Sequence, residues 1–535
     1  MKHTAGILLT AIAFFCMSFK GDKTDKTEKT CKTEKADLHT IELIKNEGFN
    51  NSKVMETLFN LTDVNGPRLT GSKGMRNAEK YIRQQLEDWG LEHANIEPWG
   101  GFGKGWEVNK CYVAMTAPYY QALITVPKAW TPGTNGLVKA NAVLVKIDNV
   151  QDMGQYAGKL KDKIVVMLPV NLTTKPNFTP DASRVSDEDL KKLAMDPHVD
   201  EAATNLSQKA AVSAKLSPNI KPQIDAFLIA EGALAIISPG RGGTMGTIST
   251  TNGASRAWDA PPLLPEVEMC SEHIGRIVRL LETGKEVTLE MDTKTTFEMA
   301  DSMEYNVVAE IPGTDPGLKD ELVMLGGHMD SWHAATGAMD NGAGTAIAME
   351  AIRILKATGV KPRRTIRIAL WSGEEQGLLG SRGYVQNHFG NRLTMELKPE
   401  QAKVSAYYNL DNGGGKIRGI FLQGNDELRP IFSEWLAPFA DLGASTLTIR
   451  NTGSTDHISF DEIGIPGFQF IQDGLDYGTR DHHTNMDSYD RASSNDLMQA
   501  SIIMASFVYH TAMRDEKLPR KAIPKVNNGP NSWAR

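Results

Sequence analysis

In the stretch LGGHMDSW, His328 and Asp330 stand two apart, just after an apolar run and a pair of glycines. Other acids and imidazoles also follow directly on apolar runs: Asp340 in GAMDNGAG, Glu374 and Glu375 in WSGEEQG, Asp411 in YYNLDNGGG, and His482 and His483 in RDHHTNMD. Carboxylates and imidazoles without a thiolate suit zinc or a similar divalent ion. One carboxylate shared by two ions sets them roughly 3.5–4 Å apart, and water held there has its pKa lowered to about 7. A further carboxylate, free of metal, must then take the water's proton and pass it on. The doubled glutamate offers both duties, and spacing alone does not say which residue takes which. It does not choose between His482 and His483 either. Asp330 is placed to accept the second imidazole N–H of His328 and fix its tautomer. Taken singly, each piece has an ordinary reading. Asp-Asn-Gly is a turn, a glutamate pair suits a helix start, and paired histidines are common on surfaces. The signal is the whole set at strand ends in one stretch of chain.

These side chains can meet only if the elements beneath them are parallel. From Tyr305 onward strand and helix patterns alternate: ELVMLGG, then the helix GAGTAIAMEAIRILKATG closed by Gly359; TIRIALWSG, then the helix EQGLLGSRGYVQNHF. VSAYYNLD, TLTIR and PGFQFIQ add strands, and SNDLMQASIIMASFVYHTA a final helix. This predicts an α/β fold with a mostly parallel sheet flanked by helices, whose functional groups gather at the C-terminal strand ends. Helical periodicity runs from Asp37 to about Phe102. In SKGMRNAEKYIRQQLEDWGL, Ala78, Tyr81, Ile82, Leu86 and Trp89 share a face, with Ser72 as cap and Gly90 as stop. From about Cys111 to Phe297 the texture is β-rich, with runs such as ANAVLVKI, DKIVVMLPV and ALAIISPGRGGTMG. The polar, alanine-rich segment 181–222 within it reads as helical or mobile.

The chain has 535 residues, 41% of them hydrophobic, which is enough for more than one domain. A formal charge of -7 offers no basic surface for nucleic acid. Cys16, Cys31, Cys111 and Cys270 form no CxxC pair, which argues against a disulfide framework or a thiolate site. Lys2 and the apolar run Ala5–Phe19 have the form of a secretory signal, too short to span a membrane. Cys16 inside that run admits a lipid anchor on the outer surface, although Ala13, Phe14 and Phe15 depart from a lipoprotein cleavage box. The expected division is a signal at 1–19, a disordered tether at 20–37, and the N-terminal part of the main domain at 38–110. A β-rich insert follows at 111–297, then the main domain at 298–515 and a tail at 516–535. The expected location is secreted or periplasmic.

HMDSW, GAMDNGAGTA, LWSGEEQGLLGS, NLDNGGG and HHTNMD together resemble the co-catalytic zinc exopeptidases that include bacterial leucyl aminopeptidase, and within them the carboxypeptidase Q group (plasma glutamate carboxypeptidase). DVNGPRLTGSKGMRNAEKYIRQQLEDWGL is similar to that family's N-terminal helix, so the resemblance spans nearly all the mature chain. It implies a zinc-exopeptidase fold with two Zn2+ per chain. His328 and Asp411 would bind one ion, Asp340 would bridge both, Glu375 and His483 would complete the set, and Glu374 would be the general base. His483 is preferred because Thr484 and Asp487 follow it at the family's spacing. The resemblance also implies that the insert is a protease-associated domain covering the site. Asp456 and His457 match a loop near the substrate in relatives, and Tyr477 could donate to an oxyanion. GPRLTGS is read first as a turn and helix cap. The long segment 181–222 and the lysine-rich tether are not obvious family features.

The implied activity is hydrolysis of small peptides by a dipeptidase, a carboxypeptidase or an aminopeptidase of the family. A catalytically silent binding protein would lack ligands, whereas all are present here. A one-zinc glutaminyl cyclase is disfavoured by the two-ion set. No GxSxG elbow or HExxH helix occurs. The expected partner is a peptide. Oligomeric state stays open, a homodimer included, as does the terminus of the substrate that is recognised.

Overall fold

The computed structural model describes residues 34–168, 178–199, 220–241, 243–251 and 253–524. The expected signal, the tether up to residue 33 and the tail beyond 524 lie outside these residues, as do parts of the expected insert. The tether ends sooner than its composition suggested. Ala36 packs on the core, and Asp37 caps the helix Leu38–Asn50 by accepting from the Thr40 N–H. The tail begins later, because Leu518 is buried.

The main sheet has eight strands. In spatial order they are Glu92–Gly101, Met303–Ile311, Thr365–Trp371, Leu322–His328, Val404–Asn409, Gly467–Gln472, Ile417–Phe421 and Thr446–Thr448. The central four, from Thr365–Trp371 to Gly467–Gln472, run parallel. The flanking pairs with Met303–Ile311 and Ile417–Phe421 are antiparallel. Alternating side chains serve opposite faces. On Thr365–Trp371, Ile366, Ile368 and Leu370 enter the larger apolar cluster with the buried helices Ala343–Ala357 and Ser494–Met513. Ala369 and Trp371 enter a second cluster with Tyr384 and Phe460, on the helices Leu379–His388 and His457–Asp461. Burial on both faces explains why the central strands read as continuous apolar runs. The fold is thus α/β, with large sheets flanked by helices.

The helix Lys73–Asp88 follows its sequence pattern. Ser72 accepts from the Met75 N–H, Ala78, Ile82 and Leu86 are buried, and Gly90 has φ +79. Two readings need correction. The region taken as helical up to Phe102 ends in the edge strand Glu92–Gly101. The helix expected from Glu375 starts at Leu379, because Glu374–Leu378 is a turn in which the Glu374 carbonyl accepts from Gly377 and Leu378.

A second eight-stranded sheet, with strands between Gly105 and Glu298, has its own apolar clusters. Within 181–222 the helix Asp187–Met195 forms, and residues 200–219 lie outside the described set. None of the described helices is long and apolar enough to cross a membrane.

Candidate metal centre

The four parallel strands deliver their following loops to one edge of the sheet. His328 is the last residue of its strand. Glu374 and Glu375 follow Trp371, Asp411 follows Asn409, and His483 lies on the segment after Gln472. Asp340 precedes the helix Ala343–Ala357. The sequence separates these residues by up to 155 positions, and the parallel order brings them within a few ångström.

His328 Nε2 is 3.4 Å from Asp411 Oδ1 and 3.6 Å from Asp340 Oδ1. His483 Nε2 is 2.8 Å from Glu375 Oε2 and 3.2 Å from Asp340 Oδ2. Asp340 therefore turns one oxygen to each histidine. Glu374 Oε2 stands 3.9 Å from His328 Nε2. His482 is farther out: its Nε2 is 4.0 Å from Asp340 Oδ2, its side chain is half exposed, and its ring lies 3.8 Å from that of His483.

These contacts alone leave the cluster unsatisfied. His328 Nε2, Asp340 Oδ2, Glu375 Oε1 and Asp411 Oδ1 are all buried without a hydrogen-bond partner. Buried polar atoms rarely stay unpaired, so convergent orphans call for an occupant. The charges point the same way. Burial, and then Asp340, push Glu375 well above the carboxylate range; burial and neighbouring acids do the same to Glu374. Burial would lower His328, yet Asp411 and Glu374 hold it well above the imidazole range. Acids crowded in low dielectric lack counter-charge, and a divalent cation supplies it. The donor set, oxygens and imidazole nitrogens only, fits zinc.

Supporting contacts fix these donors. Asp487 accepts from the Met339 N–H at 2.6 Å and the Asp340 N–H at 3.0 Å. Asp330 faces His328 with both its carboxylate and its carbonyl. Its carboxylate is 3.6 Å from His328 Nδ1, and it is the Asp330 carbonyl, at 3.0 Å, that accepts from that nitrogen. The carboxylate is taken up by the N–H groups of Glu374 and Glu375, at 3.2 and 3.3 Å, and by the Thr70 hydroxyl at 2.9 Å.

Arg68, in the GPRLTGS turn, is fully buried and donates to the Met329, Thr336 and Gly337 carbonyls, each at 2.7 Å. Burial pushes it down to about 10, while Asp487, Asp330, Asp340 and Glu375 pull it up. Sequence reading missed this role because a turn arginine looks exposed. The three residues expected near substrate diverge. Tyr477 donates to Asp340 Oδ1 at 3.1 Å, so its hydroxyl is engaged with the cluster. Asp456 is buried and pushed up to about 7, first by burial and then by neighbouring acids. His457 is enclosed, with Nε2 3.1 Å from the Thr452 carbonyl, which leaves it no surface to offer a substrate. A recess lined by Trp332, Gly337, Asp340, His483, Thr484 and Asp487 opens beside the cluster.

Comparison with known proteins agrees with this chemistry. Residues 306–508 match the model of peptidase family M28. Carboxypeptidase Q of Pongo abelii is 26% identical over 469 residues, covering 87% of this chain and 86% of the relative. A peptidase M28 precursor from Shewanella amazonensis SB2B superposes with a TM-score of 0.63 at 24% identity, over 91% of this chain and 98% of its own. BSAP, a zinc aminopeptidase from Bacillus subtilis, gives a TM-score of 0.51 at 19% identity, over 87% and 96%. Over residues 306–508 the chain is similar to peptidase family M28, and it is a metallopeptidase.

Proposed function

We propose that the chain is a di-zinc exopeptidase acting on small peptides outside the cytoplasm, as a dipeptidase or carboxypeptidase of the carboxypeptidase Q kind. The observation that carries this is the meeting of four buried, unpartnered donor atoms from separate loops at one sheet edge. His328, Asp411 and Asp340 would hold one ion, and His483, Glu375 and Asp340 the other. Bound zinc supplies the positive charge that polarises the scissile carbonyl and acidifies water.

The chain's own residues do the rest. The Glu374 carboxylate receives the water's proton and returns it to the leaving amine. Asp330 fixes both glutamates through their amides. Asp487 fixes the peptide bearing Asp340. Tyr477 holds Asp340 Oδ1 through its hydroxyl. The second sheet serves as the protease-associated layer beside the site. The run Ala5–Phe19 supports export.

A second reading, aminopeptidase action, is favoured by one feature. Over 206 residues, 37% of its length, the chain is 31% identical to aminopeptidase YwaD of Bacillus subtilis. Incubating zinc-loaded protein with an unblocked dipeptide, an N-blocked dipeptide and an aminoacyl amide separates the two. Cleavage of both dipeptides identifies carboxypeptidase action, and cleavage of the unblocked one alone a dipeptidase. Cleavage of the amide identifies an aminopeptidase. No cleavage of any of the three contradicts the proposal.

A further inference from the structure

His328, Asp340, Asp411 and Glu375 are held from within the main sheet and its loops, whereas the segment bearing His483, tied there by Arg491, is also gripped from the second sheet. His483 has φ +60, in the left-handed region that side-chain-bearing residues disfavour. Such a conformation persists only where neighbours over-determine it. Here the neighbours come from the second sheet. The segment 244–250 runs between its strands Ala235–Pro239 and Glu266–Met269.

The Thr250 N–H donates to the His483 carbonyl at 2.7 Å, and Ser249 pairs with Thr484 as an antiparallel bridge. Asn485 accepts from the Ile248 N–H at 2.7 Å and donates to the Gly246 carbonyl at 3.1 Å, while its own N–H donates to the Ile248 carbonyl at 3.1 Å. Arg480, nearly buried, donates to the Thr244 carbonyl at 2.8 Å and to Thr247 Oγ1 at 2.7 Å. Its other arm reaches Asp181 Oδ2 at 2.8 Å. Asp181 is followed by Ser183, which bridges to Leu475 at the start of the same segment. Two separate stretches of the second sheet's chain therefore grip residues 475–485.

We propose that Asn485 and Arg480 are positioning residues through which the second sheet sets one half of the metal centre. They hold the backbone of His483 so that its imidazole faces Glu375 and Asp340. Their own hydrogen bonds go to the 244–250 stretch and Asp181, and none of these is to His328 or Asp411. On this inference the second sheet is part of the cation site as well as a neighbour of it. The inference rests on the two-zinc reading above and assigns to it a structural asymmetry.

The test is zinc titration into the metal-free full chain against a chromophoric chelator, comparing the unmodified protein with Asn485→Ala. Outer contacts to a ligand typically change metal affinity by about 10–100-fold. The expected result is one zinc held as before and one weakened by about that factor, with the melting temperature of the metal-free protein little changed. Should Asn485→Ala not fold, Arg480→Lys takes its place. It keeps the charge facing Asp181 but cannot reach Thr244 and Thr247 together, and it should weaken the same zinc. Unchanged affinity of both zincs in a folded variant overturns the inference, as does equal weakening of both. An unmodified protein that takes up no zinc overturns the underlying reading instead.

Discussion

The N–H of Asp340 donates to Asp487 Oδ2 at 3.0 Å across 147 residues of sequence. The other Asp487 oxygen takes the Met339 N–H. Two backbone donors thus meet one buried carboxylate, and the loop bearing Asp340 cannot swing away from the cluster. Asp487→Asn puts an amide N–H₂ where one of these donors points. Zinc affinity should fall by about 10–100-fold, and chelator competition on the purified variant measures it. Wild-type affinity would show that the loop is held by other contacts.

Glu374 stands 3.9 Å from His328, whereas Glu375 lies 2.8 Å from His483. Glu374→Gln should therefore keep its zinc and lose turnover by at least the 10²–10⁴-fold typical of a lost proton carrier. Zinc analysis alongside kcat checks both halves. A fall in zinc content with a retained rate would exchange the roles of the two glutamates.

Thr70 links two layers of the site. Its hydroxyl donates to Asp330 Oδ2 and accepts from the Gly373 N–H at 3.2 Å. Thr70→Val keeps the shape, leaves the Gly373 N–H unpaired in a buried setting and takes one of two donors from Asp330 Oδ2. The expected loss is about 1–3 kcal/mol of stability, read by denaturant unfolding of the metal-free protein. A neutral substitution would mean that water or relaxation satisfies the Gly373 N–H.

Stability should also depend on pH through Glu304. This side chain is 2% exposed, with Arg76 2.8 Å away and Glu79 sharing the same guanidinium. Burial pushes Glu304 up to about 8 from an ordinary 4.5, Arg76 opposing and Glu79 adding. The folded state then holds a proton that the unfolded chain releases, so this group's contribution is full below pH 4.5 and fades as pH rises through 8. Glu304→Gln should flatten the decline in melting temperature between pH 5 and 8. An unchanged slope would place the titration elsewhere.

Much of this was legible in the sequence. The parallel centre announced itself because strands buried on both faces carry apolar runs such as Leu322–His328, and site residues follow such runs directly. The edge strand Glu92–Gly101 was not legible: it is largely solvent-facing and contains Pro98 and two glycines, so no apolar alternation marks it. The turn at Glu374–Leu378 was hidden by helix-forming residues whose backbone is instead claimed by Asp330. Arg68 and Asp487 escaped for a related reason. Their importance lies in backbone groups well over a hundred residues away, which no local spacing reveals. The grip of the second sheet on His483 belongs to the same class, being built of main-chain pairings between loops.

The central claim is that Asp340 joins two cation positions, with His328 and Asp411 on one side and His483 and Glu375 on the other. Elemental analysis of zinc per chain in the purified protein and in Asp340→Ala tests it directly. The account predicts about two zincs in the unmodified chain, as for a shared-carboxylate pair, and fewer than about one in the variant. An unmodified protein without bound zinc, or an Asp340→Ala variant that keeps the full complement, would contradict it.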